Sequence, residues 1–281
     1  MNPYDLPDSL LETLLHDDHP AGDATTWALG IGHAPARMEL RARHAMVACC
    51  TEEAARMGRL CGASVEAPPV ASGSPVAAGT LLLCLEGSAQ ALHLAWKPAQ
   101  VLMEHAAGIA TATAELVTAA RRANADIAVA CTRKQVPGTR ALSTKAILAG
   151  GAVPHRLSLS ETLLVFAEHR AFLADEPATA TVARLRRTWP ERTVVVEVDQ
   201  IDDARRWIDA GADVVQLDKC RPEDVAEVVR RAAGTPARVA AAGGIHAGNA
   251  EAYAAAGAHI LVTSWPYTAA PRDVAVRIVP R

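Results

Sequence analysis

Long apolar runs are missing from these 281 residues. No stretch approaches the ~20 apolar residues that a membrane span requires, and the polar opening MNPYDLPDSL is not a signal peptide. The chain is therefore expected in the cytoplasm with no membrane partner. Charge of one sign is missing too. Against 28 Lys and Arg stand 31 Asp and Glu, a formal net charge of −3, which gives no electrostatic case for a nucleic-acid partner. There is no C-x-x-C, and the six cysteines (Cys49, Cys50, Cys61, Cys84, Cys131, Cys220) have no His at ligand spacing. They read as reduced thiols rather than a metal or disulfide framework. A G-x-G-x-x-G loop after the first strand, the mark of an open dinucleotide-binding sheet, is also absent. What remains is an ordinary globular composition, 50% hydrophobic and 21% charged.

The second half has a βα rhythm. TVVVEVD (193–199), DVVQLD (213–218), RVAAAGG (238–244) and HILVTS (259–264) read as strands. Between them lie the helical stretches DDARRWIDAGA (202–212), PEDVAEVVRRAAG (222–234) and NAEAYAAAGA (249–258). Strand starts 20, 25 and 21 residues apart suit a parallel sheet with crossover helices. DIAVACTRK (126–134) and ETLLVFAEH (161–169) read as two earlier strands, and six such units favour an α/β barrel over a doubly wound sheet. The first hundred residues differ. RMELRARH (37–44) alternates like a half-exposed strand. TEEAARMGRLCG (51–62) is an amphipathic helix with a Thr cap and a Gly stop, and TLLLCLEG (80–87) is another strand. A long helix over roughly 94–123 links this α+β unit to the barrel. The expected domains are residues 1–107, with the tail 265–281 packing on them, and a barrel over 108–264.

A parallel barrel builds its active site from the C-terminal ends of its strands. Those ends carry Arg133 and Lys134, Glu168 and His169, Glu197 and Asp199, Asp218 and Lys219, Gly243 and Gly244, and Thr263 and Ser264. Glu197 and Asp218 stand out because they sit inside apolar runs, where an isolated carboxylate is costly unless paired or metal-bound. Gly243 and Gly244 end a strand before a helix, so their N–H groups suit a phosphate. His155 and Arg156, with Arg133, Lys134, Arg140 and Lys145, suggest one cationic pocket for carboxylate or phosphate. Residue chemistry alone points to a barrel enzyme for a phosphorylated, magnesium-bound substrate.

GDATT (22–26), GIATATAELV (108–117), CTRKQVPGTRALSTKAILAGGAVPHR (131–156), VEVD (196–199), LDK (217–219) and AGGI (242–245) resemble, in order and spacing, the quinolinate phosphoribosyltransferases. The resemblance implies an N-terminal α/β sandwich domain and a C-terminal open α/β barrel of the type II phosphoribosyltransferases. It implies a homodimer, or a higher even oligomer, whose active sites are completed by the neighbouring subunit. The family reaction joins quinolinate to phosphoribosyl pyrophosphate, releasing carbon dioxide and pyrophosphate. Carried over residue by residue, Glu197, Asp218 and Lys134 are catalytic, with Glu197 and Asp218 also holding magnesium with pyrophosphate. Arg133, His155 and Arg156 bind substrate and Gly243 and Gly244 take the phosphate; the chain's own Lys97, Phe166 and Lys219, which stand where the family has other residues, complete the expected substrate side, and Thr263 and Ser264, at a neighbouring strand end, the expected phosphate side.

The chain departs from the family pattern at four places. Trp96-Lys97 replace Glu-Arg, Phe166 replaces a lysine, Lys219 replaces an asparagine and Ala242 replaces a serine. The lost arginine and lysine are family partners of the quinolinate carboxylates. A buried carboxylate without its partner costs about 3–5 kcal/mol, roughly two to four decades in binding. A side branch of the family, associated with molybdate transport, shares AWKPAQVLMEHAAGIAT, RLSLSETLLVFAEHR and SWPYTAAPRDVAV. Three functions follow: transfer to an aromatic acid other than quinolinate, genuine quinolinate turnover in NAD biosynthesis, or non-catalytic binding of an oxyanion such as molybdate.

Overall fold

The structure, a computed structural model, describes residues 4–281; the first three residues of the expected N-terminal domain lie outside the described residues. The chain divides into two compact units. One runs to Ala114 and also takes Val136–Gly151 and Pro266–Arg281; the other is Glu115–Gln135 with Ala152–Trp265.

The first unit is built on a four-stranded antiparallel sheet, in the order Val274–Pro280, Pro35–Ala42, Leu81–Ser88, Ser64–Val65. Alternation in the second of these sends Ala36, Met38, Leu40 and Ala42 into the core. On its other face Glu39 pairs with Arg37 at 2.5 Å and Arg41 at 3.0 Å. The helix Thr51–Leu60 buries Ala54, Ala55, Met57 and Gly58. Gly58 permits a close approach, because a Cβ there would lie 2.6 Å from Leu85 Cδ1. The Thr cap expected for this helix is not formed. Cys50 is the cap residue, at φ 60°, and Thr51 is already helical. Thr51 is fully buried, and its hydroxyl donates to the Val70 carbonyl instead.

Residues 136–151 group with this unit rather than with the barrel expected over 108–264. The reason is the helix Arg140–Ala149, whose Lys145 is tied to carboxylates of the unit's N-terminal segment. The linking helix is longer than expected, Ala89–Ala123, 35 residues, about 53 Å at 1.5 Å per residue.

The second unit is a seven-stranded parallel sheet, in the order Val153–Pro154, Ala128–Cys131, Ile260–Thr263, Arg238–Ala242, Val214–Asp218, Val194–Val198, Leu163–Val165. The end strands Val153–Pro154 and Leu163–Val165 do not pair, so the barrel is open. Six strands were legible; the seventh has only two residues, too few for a periodic signal. ETLLVFAEH is a strand only over Leu163–Val165. At Phe166 the backbone N–H turns to His169 Nδ1 at 3.0 Å, and Ala167–Arg170 is a short helix. The inner face packs Ala130, Leu164, Val195, Val214, Ala240, Ala242 and Val262, with Phe166 and Ile260 against them. Three of these are alanines, and small side chains on one side of a barrel leave room above them for a ligand. Among the described residues no helix is long and apolar enough to cross a membrane, and all six cysteines are free.

Candidate active site

The strand ends of the second unit surround a pocket of about 660 Å³. Period-two geometry explains its inventory. Val195 faces the barrel interior, so Glu197 two residues on does too; Val214 faces it, so Gln216 and Asp218 follow. Glu197 and Gln216 are direct neighbours across the parallel strands, and Gln216 Nε2 donates to Glu197 Oε2 at 2.6 Å. Burial pushes the Glu197 carboxyl above its ordinary value, and the nearby Asp218 carboxylate adds to this. The Gln216 amide and the Lys134 cation work in the opposite direction.

Opposite the carboxylates stand Arg133, Lys134, His155 and Arg156. Among the described residues Arg133 and Arg156 form no ion pair. Burial lowers the pKa of Arg156 and the Arg133 charge lowers it further, the signature of two cations held together without an anion. His155 is lowered by burial and then by Arg156, with the Gln216 amide opposing. The Arg156 guanidinium lies 5.8 Å from the centre of the Phe166 ring, and that ring stacks on His169 with centroids 5.8 Å apart. An arginine over an aromatic face is a platform for a flat anionic ring.

The glycine pair turns tightly beneath Asp218. Gly243 has φ +83° and Gly244 φ +75°. A Cβ on Gly243 would meet Asp218 Oδ1 at 2.6 Å and Lys219 N at 2.7 Å, whereas one on Gly244 would meet no atom within 4 Å. The following helix begins only at Ala250, so the loop stands apart from the helix N-terminus expected to share in it. Asn249 holds the loop instead, donating from Nδ2 to the Gly244 carbonyl at 3.0 Å. Thr263 lines the pocket, but its buried hydroxyl is committed to the same loop, donating to the Ile245 carbonyl at 2.6 Å. Ser264 lines the pocket as expected. Lys219 also lines it, at φ +57°, with its N–H on the Ala242 carbonyl at 2.8 Å and its ammonium 3.8 Å from Asp218.

Three predicted cations are elsewhere. Lys145 is buried in the first unit, 2.8 Å from Asp5 and 2.7 Å from the fully buried Glu53. Burial alone would lower its pKa, but the hydrogen bonds to Asp5 and Glu53 raise it overall. It is a structural cation, and the pocket assignment is corrected. Arg140 heads the same helix, exposed. Lys97 belongs to the first unit, with its ammonium over the Trp96 ring at 4.5 Å and on Gln100 Oε1 at 3.2 Å. Four polar or aromatic pocket residues were missed: Thr132, Gln216, His246 and Trp265. Gln216 had a signal, a polar residue within VVQLD on the Asp218 face. Thr132 and His246 lie in loops and Trp265 opens the one-turn 3₁₀ helix Trp265–Thr268, segments where no periodicity marks a residue.

An open seven-stranded barrel with paired carboxylates, clustered cations and a glycine loop at its mouth defines a class, and comparison with known proteins names it. Residues 23–107 match the family model for the quinolinate phosphoribosyl transferase N-terminal domain, and residues 109–277 match that for its C-terminal domain. The chain belongs to the quinolinate phosphoribosyltransferase family and is a phosphoribosyltransferase, a pentosyl-transferring enzyme. It is 48% identical over 247 residues to the ModD pyrophosphorylase of Rhodobacter capsulatus, covering 87% of this chain and 95% of that one. It is 36% identical over 278 residues to ModD of Escherichia coli O6:H1, covering 98% of each. A nicotinate-nucleotide pyrophosphorylase (carboxylating) from Methanothermobacter thermautotrophicus is 32% identical over 211 residues, 73% of this chain and 75% of that one. The crystal structure of NadC from Streptococcus pyogenes superposes with a TM-score of 0.90 at 25% identity, covering 99% of each chain.

Proposed function

We propose that the barrel mouth transfers ribose 5-phosphate from phosphoribosyl pyrophosphate to a small aromatic acid other than quinolinate. The observation that carries this reading is the unequal furnishing of the mouth. The phosphoribosyl side keeps Glu197, Asp218 and the glycine loop. The ring side offers Phe166 under Arg156 at 5.8 Å where the family reading expects a lysine. In the reaction the bond from the anomeric carbon to pyrophosphate breaks and one to a ring atom of the acceptor forms, through an oxocarbenium-like centre. Glu197 and Asp218 hold the ribose hydroxyls and stabilise positive charge at that centre, while Lys134 and Arg133 stabilise the departing anion. Gly243 and Gly244 offer their N–H groups to the 5′-phosphate, with Ser264 beside them. His155 and Arg156 take the acceptor's carboxylate, and Lys219 closes the side next to Asp218.

Among the described residues no group of three or more His, Cys, Asp or Glu could hold a metal alone. Two carboxylates do fit magnesium, which commonly takes one or two carboxylates and fills its shell with substrate phosphates and water. Glu197 and Asp218 would hold it, and it would supply charge neutralisation at the leaving pyrophosphate. The family resemblance further supports a cytoplasmic homodimer in which Lys97 of one subunit serves the site of the other.

Calorimetric titration with phosphoribosyl pyrophosphate and magnesium is expected to give saturable binding that Glu197→Gln weakens; no binding at millimolar ligand would sink the reading. Quinolinate itself as acceptor is favoured by the pyrophosphorylase from Methanothermobacter thermautotrophicus, and carbon dioxide release at an ordinary enzymatic rate would promote it.

A further inference from the structure

One buried polar atom at the barrel mouth has no partner. Gln216 is 3% exposed and lines the pocket. It precedes Asp218 by two residues, so it lies one layer deeper on the same inner face. Its neighbours in register are Glu197 on one strand and Ala240 on the other. Gln216 Nε2 donates to Glu197 Oε2 at 2.6 Å. A carboxylate only accepts, so the amide must turn its NH₂ group toward Glu197 and its carbonyl away.

That carbonyl oxygen, Oε1, is buried, and no donor among the described residues bonds to it. Ala240 has only a methyl group to offer. His155 is near enough for the amide to raise its pKa, yet neither ring nitrogen makes a hydrogen bond to Oε1. A buried carbonyl left unpaired is costly and rare in a native fold. In a ligand pocket, the missing donor belongs to the ligand.

We propose that Gln216 is a specificity-determining residue: its Oε1 accepts a hydrogen bond from the acceptor acid, which carries an N–H or O–H group next to its carboxylate. The carboxylate rests on His155 and Arg156 and the ring on Phe166, as above, and Oε1 lies beside the His155 end of that seat. A site built to receive a substrate donor rejects an analogue that lacks one. Quinolinate lacks one, because its ring nitrogen is bare and both carboxyls are ionised at neutral pH. Gln216 therefore disfavours quinolinate independently of Phe166. The proposal deepens the acceptor assignment and rests on it in placing the acceptor carboxylate on His155 and Arg156.

Calorimetry on the intact protein tests it with two acids of the same shape. Pyrrole-2-carboxylate has a ring N–H beside its carboxylate; furan-2-carboxylate has a bare oxygen there. The first is expected to bind at least about tenfold more tightly, the worth of one neutral hydrogen bond. Gln216→Met, close in volume but without the carbonyl, should bring the two affinities together. A second measurement needs no variant: in the wild-type protein the NMR resonance of the Gln216 side-chain carbonyl carbon should move downfield with pyrrole-2-carboxylate and not with furan-2-carboxylate. Equal affinities in the wild-type protein, an undiminished gap in folded Gln216→Met, or no binding of either acid at about 10 mM would each overturn the proposal. Phosphoribosyl pyrophosphate binding is measured on the same protein. If it binds and the gap is missing, the transferase reading stands and the role of Gln216 falls.

Discussion

The glycine loop offers a matched pair of substitutions. Gly243 and Gly244 both have positive φ, so alanine at either pays the left-handed penalty, about 1–2 kcal/mol. Only at Gly243 does the new methyl also collide with protein. It would meet Asp218 Oδ1 and Lys219 Cγ at 2.6 Å and Lys219 N at 2.7 Å, distances real Cβ atoms essentially never show. Relief requires moving Lys219 N, which donates to the Ala242 carbonyl at 2.8 Å. Overpacking of this kind adds about 1–3 kcal/mol. Gly244→Ala should therefore lower Tm by roughly 2–8 °C and Gly243→Ala by roughly 4–20 °C, at about 2–4 °C per kcal/mol. The second methyl points into open space at the pocket, so both variants should bind phosphoribosyl pyrophosphate more weakly. Only Gly243→Ala displaces Asp218 in the free protein, visible as shifted Asp218 and Lys219 amide resonances. Equal Tm losses for the two variants, or an undisturbed Asp218 in Gly243→Ala, would refute the reasoning.

Lys145→Met leaves the fully buried Glu53 with only Arg56, 3.8 Å away, as a cation; a loss of about 3 kcal/mol, the low end for breaking a buried pair, is expected in denaturant unfolding. Burial and Arg156 hold the His155 pKa below its ordinary 6.5. Its stabilising contribution is thus complete above pH 6.5 and is lost as the pH falls through the lower folded value, and NMR titration should find His155 uncharged at pH 7. Phe166→Lys should raise kcat/KM for quinolinate at least about tenfold, recovering part of the two to four decades that an unpaired carboxylate loses.

Much of the barrel was legible because buried parallel strands are short apolar runs, and a charge inside such a run has few places to go. That is why Glu197 and Asp218 could be read directly, and why both line the pocket. Gln216 was equally readable by its spacing from Asp218, but a single amide carries no charge to attract notice. Lys145 shows the opposite failure. A lone lysine on an amphipathic helix looks the same whether it faces a ligand or, as here, three carboxylates distant in sequence. Thr263 was placed correctly, yet the direction of its hydroxyl depends on the Ile245 carbonyl, a loop contact with no sequence signature.

Phosphoribosyl transfer is tested most directly by incubating the protein with ribose-labelled phosphoribosyl pyrophosphate, magnesium and a small-molecule cell extract, then following the label. Label should pass into an ultraviolet-absorbing nucleotide with one pyrophosphate released per transfer, and Glu197→Gln should stop it. Label remaining entirely in phosphoribosyl pyrophosphate, or passing equally well with Glu197→Gln, would contradict the account.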